Sequence, residues 1–254
     1  MQALMLAAGM GKRLSEYTQN HTKCMVEVAG KKLVDRAIEA VQAAGIKKFI
    51  FVVGYQGANL IDYLQQKYQN TDLKFEFIFN HDYATTNNIY SFFLAKDLVE
   101  QDDTILLESD LIYNPKLIKD IINDPHHNLA VIAKYKDWMD GTVVTCNDFN
   151  PQQHGGPINV FISKQDMNPA DLASYYKTVN IYKFDRTFTR EIYYPVLETY
   201  MHAHGVNNYY EAPLKDIVQS SPSVLFGYEI GDLPWYEIDN AQDLAAANAL
   251  FGGK

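Results

Sequence analysis

Hydrophobic residues follow two alternating patterns along the chain, short continuous runs and longer stripes with helical spacing. The continuous runs, which are typical of buried strands, lie at residues 3–7, 48–53, 75–79, 104–107 and 129–134. The helical stripes between them lie at residues 33–41, 58–68, 88–98 and 115–122. Because strands and helices alternate at these lengths, the pattern predicts βαβ units on a parallel sheet.

The pattern changes near residue 136. Polar and turn-forming residues cluster at 146–157, between β-prone runs at 141–145 and 158–162, which indicates an antiparallel insertion. Regular elements then return as strands at 178–184 and 224–230, helices at 188–200 and 212–219, and a closing helix that ends near 250. Asp239 or Asn240 is the expected cap of that closing helix. We predict a single α/β domain over residues 1–254, with an inserted subregion at 136–185.

Composition excludes several classes of protein. Hydrophobic residues make up 47% of the 254 residues, enough for a large core, and the net charge of −9 disfavours binding to nucleic acid. The two cysteines, Cys24 and Cys146, have no metal-like spacing. No apolar run approaches the roughly 20 residues of a membrane span, and the first residues lack a charged leader. We expect a cytoplasmic protein without membrane insertion.

A glycine-rich turn follows the first predicted strand. Gly9 and Gly11 would let backbone N–H groups approach a phosphate, and Lys12 and Arg13 add positive charge. The spacing is neither that of a P-loop nor that of a dinucleotide fingerprint, because Leu14 stands where a third glycine would be required. An ordinary tight turn is the alternative. Residues 1–36 carry six basic and three acidic residues, which favours a polyanionic small ligand.

The turn continues into a longer motif. Residues 6–14 (LAAGMGKRL), followed by Lys23 and a hydrophobic segment that ends in Gly30-Lys31-Lys32-Leu33, resemble the nucleotidyltransferase superfamily. The resemblance implies a Rossmann-like three-layer sandwich with a mixed, mostly parallel sheet and a small β-rich insertion, the glycosyltransferase-A-like nucleotidyltransferase fold. It also implies that the glycine loop wraps a nucleoside triphosphate while Arg13 and Lys23 hold its oxygens. Thr22 stands where many sugar-activating members have proline.

Two further segments narrow the resemblance. Residues 87–92 (NNIYSF), with Asn80 and Tyr83 before them, and residues 235–239 (WYEID) are similar to bacterial phosphocholine cytidylyltransferases and their 2-aminoethylphosphonate-activating relatives. Asn88 could be a helix cap, a ligand to the pyrimidine edge, or both. The nucleotide-binding residues implied by the resemblance are Leu6, Ala7, Ala8, Gly9, Met10, Gly11, Lys12, Gly54, Tyr55, Asn80, Asn88 and Ser91.

Three carboxylates are candidates for a metal site. Asp110 follows a predicted buried strand, and Glu237 and Asp239 are two residues apart, so both would lie on one side of an extended segment. Asp110 alone is equally typical of a turn, and Asp239 of a helix cap. Together they resemble the metal-binding acids of the cytidylyltransferases, and hard oxygen ligands favour Mg²⁺. The resemblance makes Lys23, Arg13 and Asp110 the catalytic set.

The acceptor pocket is the least determined part. Trp138 resembles an acceptor-pocket tryptophan of the phosphocholine enzymes, and Lys177 is a candidate partner for an acceptor phosphate. Aromatic rings suit a choline head group and carboxylates suit a primary amine. The further candidates for this pocket are Tyr176, Tyr182, Tyr210, Glu211 and Trp235. Ordinary packing is the alternative for each tyrosine.

The resemblance implies a Mg²⁺-dependent cytidylyltransferase that condenses CTP with phosphocholine, phosphoethanolamine or 2-aminoethylphosphonate and releases pyrophosphate. Its CDP- or CMP-linked product would feed cell-surface decoration. A sugar-1-phosphate nucleotidyltransferase is the enzymatic alternative, and a nucleotide-sensing regulatory domain is the alternative without catalysis. The identity of the acceptor stays open. A homodimer and a fusion to a second enzyme domain are both compatible with the sequence.

Overall fold

The strands follow the apolar runs closely, in a computed structural model that describes residues 1–253 apart from the side chain of Ser15. In chain order they are β1 (Gln2–Ala7), β2 (Glu27–Val28), β3 (Lys31–Lys32), β4 (Lys48–Val53), β5 (Lys74–Phe79), β6 (Thr104–Glu108), β7 (Leu111–Tyr113), β8 (Leu129–Lys134), β9 (Val143–Cys146), β10 (Gly155–Ile162), β11 (Tyr176–Phe184), β12 (Phe226–Glu229) and β13 (Trp235–Glu237). The predicted strands shift by at most a few residues, as is usual for element ends.

The helices lie between these strands. They are α1 (Leu33–Ala43), α2 (Gly57–Lys67), α3 (Asn88–Leu94), α4 (Lys96–Val99), α5 (Lys116–Asn123), α6 (Arg186–Phe188), α7 (Tyr194–His204), α8 (Glu211–Ser220) and α9 (Ala241–Phe251). The helix predicted at 88–98 is two helices that meet at Ala95, and a π-helical turn, Thr189–Tyr193, joins α6 to α7. No helix within residues 1–253 is long and apolar enough to cross a membrane.

Nine strands of the described chain form one sheet in the order β5-β4-β1-β6-β11-β8-β12-β10-β9. The first four strands are parallel, whereas β11 runs antiparallel to both β6 and β8. The predicted insertion supplies β9 and β10, which pair antiparallel. Strand β9 also pairs with β11 at Tyr176 and Lys177, so this half of the sheet curls back on itself. The mixed sheet with a parallel half confirms the predicted fold class.

Alternation along the strands builds a hydrophobic core on each face of the sheet. Met5 of β1 packs into the core that contains Ile38 of α1, whereas its neighbour Leu4 packs into the core that contains Phe92 of α3. All four are at most 5% exposed. Helices therefore cover both faces, which gives three layers, because neighbouring strand residues point to opposite sides.

Two short elements that the sequence pattern did not predict position the site. Strand β7 pairs antiparallel with β13 outside the main sheet, with Leu111 opposite Glu237. Asn240, not Asp239, is the N-cap of α9, and its side chain and that of Asp243 form a capping box. Such a cap contributes about 0.5–2 kcal/mol to helix stability. Asp239 therefore does not cap α9, and its carboxylate pairs with Lys23 and Arg13 instead.

Candidate active site

A cleft of about 900 Å³ opens where β1 and β6 end. This is the carboxyl edge of the parallel strands, where open α/β sheets place their ligands. Its walls come from the glycine loop after β1, the segment before α3, the turn after β6, the insertion, and the start of α8. Most of the polar residues that the sequence singles out face this cleft.

The glycine loop leaves β1 and closes over one end of the cleft. Gly11 has φ +58°, a left-handed conformation, and a Cβ there would stand 3.1 Å from Thr18 Cγ2. The hydroxyl of Thr18 donates to the Gly11 carbonyl at 3.1 Å. At Gly54 a Cβ would lie 2.8 Å from the Ala8 carbonyl oxygen, so the loop rests directly on this glycine.

Most of the residues predicted to bind nucleotide line the cleft, namely Leu6, Ala8, Gly9, Gly11, Lys12, Asn80, Asn88 and Ser91. Ala7, Met10, Gly54 and Tyr55 do not line it. Gly54 and Tyr55 support the loop from behind, because the Tyr55 amide donates to the Ala8 carbonyl at 3.0 Å. Ala7 is a core residue of β1. Direct contact of these four residues with a nucleotide stays a prediction.

The two predicted nucleotide-binding asparagines also form hydrogen bonds within the protein. Asn80 donates to Thr86 and Ser91, each at 3.1 Å. Asn88 donates to Glu108 at 3.0 Å and accepts from the Tyr210 amide at 3.0 Å. The N-cap of α3 is Asn87, which excludes the alternative that Asn88 is the cap. Both asparagines shape the cleft wall through these bonds.

The β7–β13 ribbon brings the three predicted metal acids together. Asp110 immediately precedes β7, Glu237 ends β13, and the Ile238 amide donates to the Asp110 carbonyl at 2.9 Å. Asp110, Glu237 and Asp239 each offer a carboxylate oxygen, and these oxygens lie within 4.8 Å of one another. Residues that are far apart in the sequence thus form one acidic group at the cleft.

Lys23 and Arg13 bridge this acidic group to the glycine loop. Lys23 Nζ lies 2.6 Å from Asp110 Oδ2 and 2.7 Å from Asp239 Oδ1, and an Arg13 nitrogen lies 2.9 Å from that same Asp239 oxygen. Burial alone would lower the pKa of Lys23, but the carboxylates of Asp110 and Asp239 outweigh burial and raise it. Lys23 is therefore a fixed cation at neutral pH.

Two cleft carboxylates, Glu108 and Glu237, are half-buried and interact electrostatically. Burial, together with the negative charges of Asp110 and Asp239, raises the pKa of Glu237 to about 7, against the opposing charge of Lys177. Burial and the charges of Asp110 and Glu237 raise the pKa of Glu108 well above its usual value. Asp110 Oδ1 is buried without a hydrogen-bond partner. Converging hard oxygen ligands with an unpartnered atom among them fit a divalent cation such as Mg²⁺.

Other cleft residues belong to the predicted acceptor pocket. Lys177, Tyr210 and Glu211 line the cleft. Lys177 is buried, with Nζ 3.4 Å from Glu237 Oε2. Tyr182 does not line the cleft, but its hydroxyl donates to Glu211. The predicted acceptor residues therefore adjoin the acidic group through the pair of Lys177 and Glu237.

Three more predicted acceptor residues, besides Tyr182, do not line the cleft. Trp138 is 56% exposed and stacks on Tyr236 with ring centroids 5.3 Å apart. Tyr176 stacks on Phe149 at 5.2 Å, and Trp235 packs against the hydrophobic core. Each ring packs against a neighbouring group instead of lining the cleft, and a part for these residues in binding the acceptor stays a prediction.

Several cleft residues were not identified from the sequence. Glu108 precedes Asp110 by two residues, and this spacing was the available signal, since residues two apart share one side of a strand. Asn180 also lines the cleft, from the middle of β11. Ser163 and Gln165 reach it from the insertion, where nothing in the residue pattern separates them from other polar residues.

Two characterised proteins are similar to this chain over almost its whole length. The chain is 26% identical over 252 residues to a CMP-5'-(3-aminopropyl)phosphonate synthase of Streptomyces rubellomurinus, covering 99% of this chain but 39% of that protein. It is 30% identical over 256 residues to a CTP:phosphoglutamine cytidylyltransferase of Campylobacter jejuni, covering 96% of this chain and 98% of that protein.

A solved structure of CTP:phosphocholine cytidylyltransferase from Streptococcus pneumoniae superposes with a TM-score of 0.78 at 23% identity, covering 98% of this chain and 97% of that chain. This similarity concerns the fold. The sequence profile of the Nucleotidyl transferase family matches residues 2–192. With the glycine loop, the converging acids and the mixed sheet in place, the chain belongs to the nucleotidyl transferase family.

Proposed function

We propose that this protein transfers the cytidylyl group of CTP to a small phosphate or phosphonate that bears an amino group, and releases pyrophosphate. The observation that carries the proposal is the convergence of Asp110, Glu237 and Asp239 with Lys23 beside the glycine loop, in one cleft. Both relatives described above are named for cytidylyl or CMP products, which supports CTP as the donor.

The chemistry at the triphosphate end rests on charge and position. An acceptor oxygen attacks the α-phosphorus, a new P–O bond forms, and the bond to the bridging oxygen of the β-phosphate breaks, so pyrophosphate leaves. The attacking oxygen of the acceptor is already anionic near neutral pH, so no residue has to remove a proton from it. Lys23 and Arg13 would stabilise the charge on the triphosphate. A divalent cation held by the three acids would neutralise further charge there.

The predicted acceptor residues favour a molecule with opposite charges at its two ends. Lys177 is positioned for the phosphate or phosphonate, whereas Glu108 and Glu211 line the cleft without a lysine or arginine partner among the described residues. A protonated primary amine would supply the hydrogen bonds that these carboxylates accept. Trp138 does not line the cleft, whereas Tyr83, Tyr209 and Tyr210 do, so the preference for a primary amine over choline rests on the carboxylates and not on a lack of aromatic rings.

A sugar-1-phosphate acceptor is the second candidate. Ser163, Gln165 and Thr142 line the cleft and could bind sugar hydroxyls. Glu211 favours the amine instead, because a neutral sugar would leave this buried carboxylate without a cationic partner among the described residues.

A pyrophosphate-release screen tests the proposal. CTP, UTP and dTTP are each combined with 2-aminoethylphosphonate, phosphoethanolamine, phosphocholine and glucose 1-phosphate in the presence of Mg²⁺. We expect release with CTP and the two primary amines. Release only with glucose 1-phosphate would favour the sugar-activating alternative. Binding of CTP without release under any acceptor would favour a nucleotide-sensing domain.

Glu211→Gln tests which carboxylate binds the amine. Glutamine keeps the size of the side chain and still accepts from Tyr182, but it loses the negative charge. Loss of a charged hydrogen bond costs about 1.5–3 kcal/mol, so KM for the amine acceptor should rise about 10- to 100-fold with KM for CTP unchanged. Glu191→Gln is the matched control and should leave both KM values unchanged, because Glu191 is exposed, pairs with Arg190 and does not line the cleft. An unchanged acceptor KM in Glu211→Gln would remove Glu211 from the acceptor site.

A further inference from the structure

Strand β11 is irregular in its middle, around Asn180. The pairing of β11 with β8 shifts register between Thr178 and Tyr182, and Asn180 has φ +59°, in the left-handed region. Left-handed backbone is uncommon for residues other than glycine, although asparagine tolerates it better than most. Such conformations persist where the surrounding structure enforces them, and they concentrate at functional sites. This irregular part of β11 borders the cleft, since Asn180 is one of the residues that line the cleft.

The side chain of Asn180 is directed by this backbone toward one of the three acids. Its Nδ2 donates to Glu237 Oε1 at 3.3 Å. Its Oδ1 accepts from the Thr178 hydroxyl at 3.1 Å, which fixes the orientation of the amide. Lys177, on the same strand, lies 3.4 Å from the other oxygen of Glu237. Strand β11 thus contacts both oxygens of a carboxylate that belongs to β13.

The chemistry of the amide suits this position. Glu237 is held near Asp110 and Asp239, so three negative groups would repel one another. A second lysine at position 180 would relieve the repulsion but would also compete with a divalent cation for the same oxygens. An amide donates a hydrogen bond without adding charge, so it can orient the carboxylate and leave the electrostatic attraction for a cation intact.

We propose that Asn180 is a positioning residue for Glu237, which holds this carboxylate in the arrangement that binds the divalent cation with Asp110 and Asp239. The inference rests on the proposed function, because it requires that the three acids bind a metal ion. Asn180 has no role of its own in the transfer; its effect passes through Glu237. The left-handed backbone of Asn180 lets its side-chain amide, which belongs to β11, reach Glu237 on β13.

The test is a double-variant cycle read out by Mn²⁺ binding, measured by electron paramagnetic resonance with a non-hydrolysable CTP analogue present. Asn180→Gly removes the amide and keeps a residue that adopts φ +59° readily. Loss of a group that orients a metal ligand typically weakens metal affinity about 10- to 100-fold, and we expect the same here. In the Glu237→Gln background, Asn180→Gly should change Mn²⁺ affinity by less than about twofold, since the two act as one unit.

Controls separate positioning from a general structural effect. Ser223→Gly removes a side chain at another left-handed position, φ +68°, in a residue that does not line the cleft, and should leave Mn²⁺ affinity unchanged. In turnover assays, Asn180→Gly should raise the metal concentration needed for half-maximal rate more than it lowers kcat. The metal-free thermal midpoint of Asn180→Gly should match or exceed that of Asn180→Ala, because alanine is strained at this φ.

Two results would overturn different parts of the argument. If the wild-type protein binds Mn²⁺ and Asn180→Gly binds it equally tightly, or if the effect persists undiminished in Glu237→Gln, the positioning role of Asn180 is wrong and the proposed function stands. If the wild-type protein itself binds neither Mn²⁺ nor the CTP analogue, the proposed function fails, and the role of Asn180 fails with it.

Discussion

Replacing Lys23 with alanine is expected to lower kcat by about 10²–10³-fold, the usual loss when one preorganised charge is removed from a transition state. Lys23 Nζ lies 2.6 Å from Asp110 and 2.7 Å from Asp239, and its raised pKa keeps it cationic. Without it, Asp110 has no ion-pair partner among the described residues and Asp239 keeps only Arg13, so the metal-free variant should also melt at a lower temperature than the wild type. Added Mg²⁺ should restore much of that difference.

The measurement is steady-state pyrophosphate release combined with thermal melts with and without Mg²⁺. Lys12→Ala is the matched control, because Lys12 lines the same cleft but is exposed and forms no ion pair among the described residues. An exposed charge contributes about 1 kcal/mol or less, so Lys12→Ala should change kcat by less than about tenfold. A Lys23→Ala variant that releases pyrophosphate at the wild-type rate would remove Lys23 from the catalytic set.

Asp110→Asn is expected to lose most of its turnover while the protein stays folded. Asparagine keeps the shape of the side chain and can still accept from Lys23, so the ribbon contact through the Asp110 carbonyl should persist. The negative charge among the three acids is lost, and with it a hard oxygen ligand for the cation. We expect kcat to fall at least about 10²-fold and Mn²⁺ binding to weaken by at least about tenfold.

Asp140→Asn is the control for that result. Asp140 also lines the cleft, but it is exposed, pairs with Lys164 at 3.3 Å, and does not converge with the other acids. It should therefore retain most of the turnover. If Asp110→Asn and Asp140→Asn reduced kcat equally, the convergence of the three acids would not explain catalysis.

The main elements could be predicted because their signals are local. Continuous apolar runs such as 48–53 and the helical stripe at 33–41 correspond to β4 and α1. The β7–β13 ribbon gave no such signal: its strands are three residues long, and Leu111 and Glu237 meet only through tertiary pairing. Its existence was implied solely by the expectation that distant acids meet.

Residue type alone did not indicate which way a side chain points. Trp138 was expected in the acceptor pocket, but its ring stacks on Tyr236 and does not line the cleft. Asn88 was expected to read the base, but its amide joins Glu108 to the start of α8. The sequence was compatible with either Asp239 or Asn240 as the cap of α9. The capping box formed by Asn240 and Asp243 identifies Asn240 as the cap.

The reaction itself is tested most directly by ³¹P nuclear magnetic resonance of the wild-type protein with CTP, Mg²⁺ and 2-aminoethylphosphonate or phosphoethanolamine. We expect one new phosphorus–oxygen–phosphorus linkage for each pyrophosphate released, and no product when the metal is chelated. CTP that remains intact with every amine acceptor, or that is merely hydrolysed to CMP, would contradict cytidylyl transfer by this cleft.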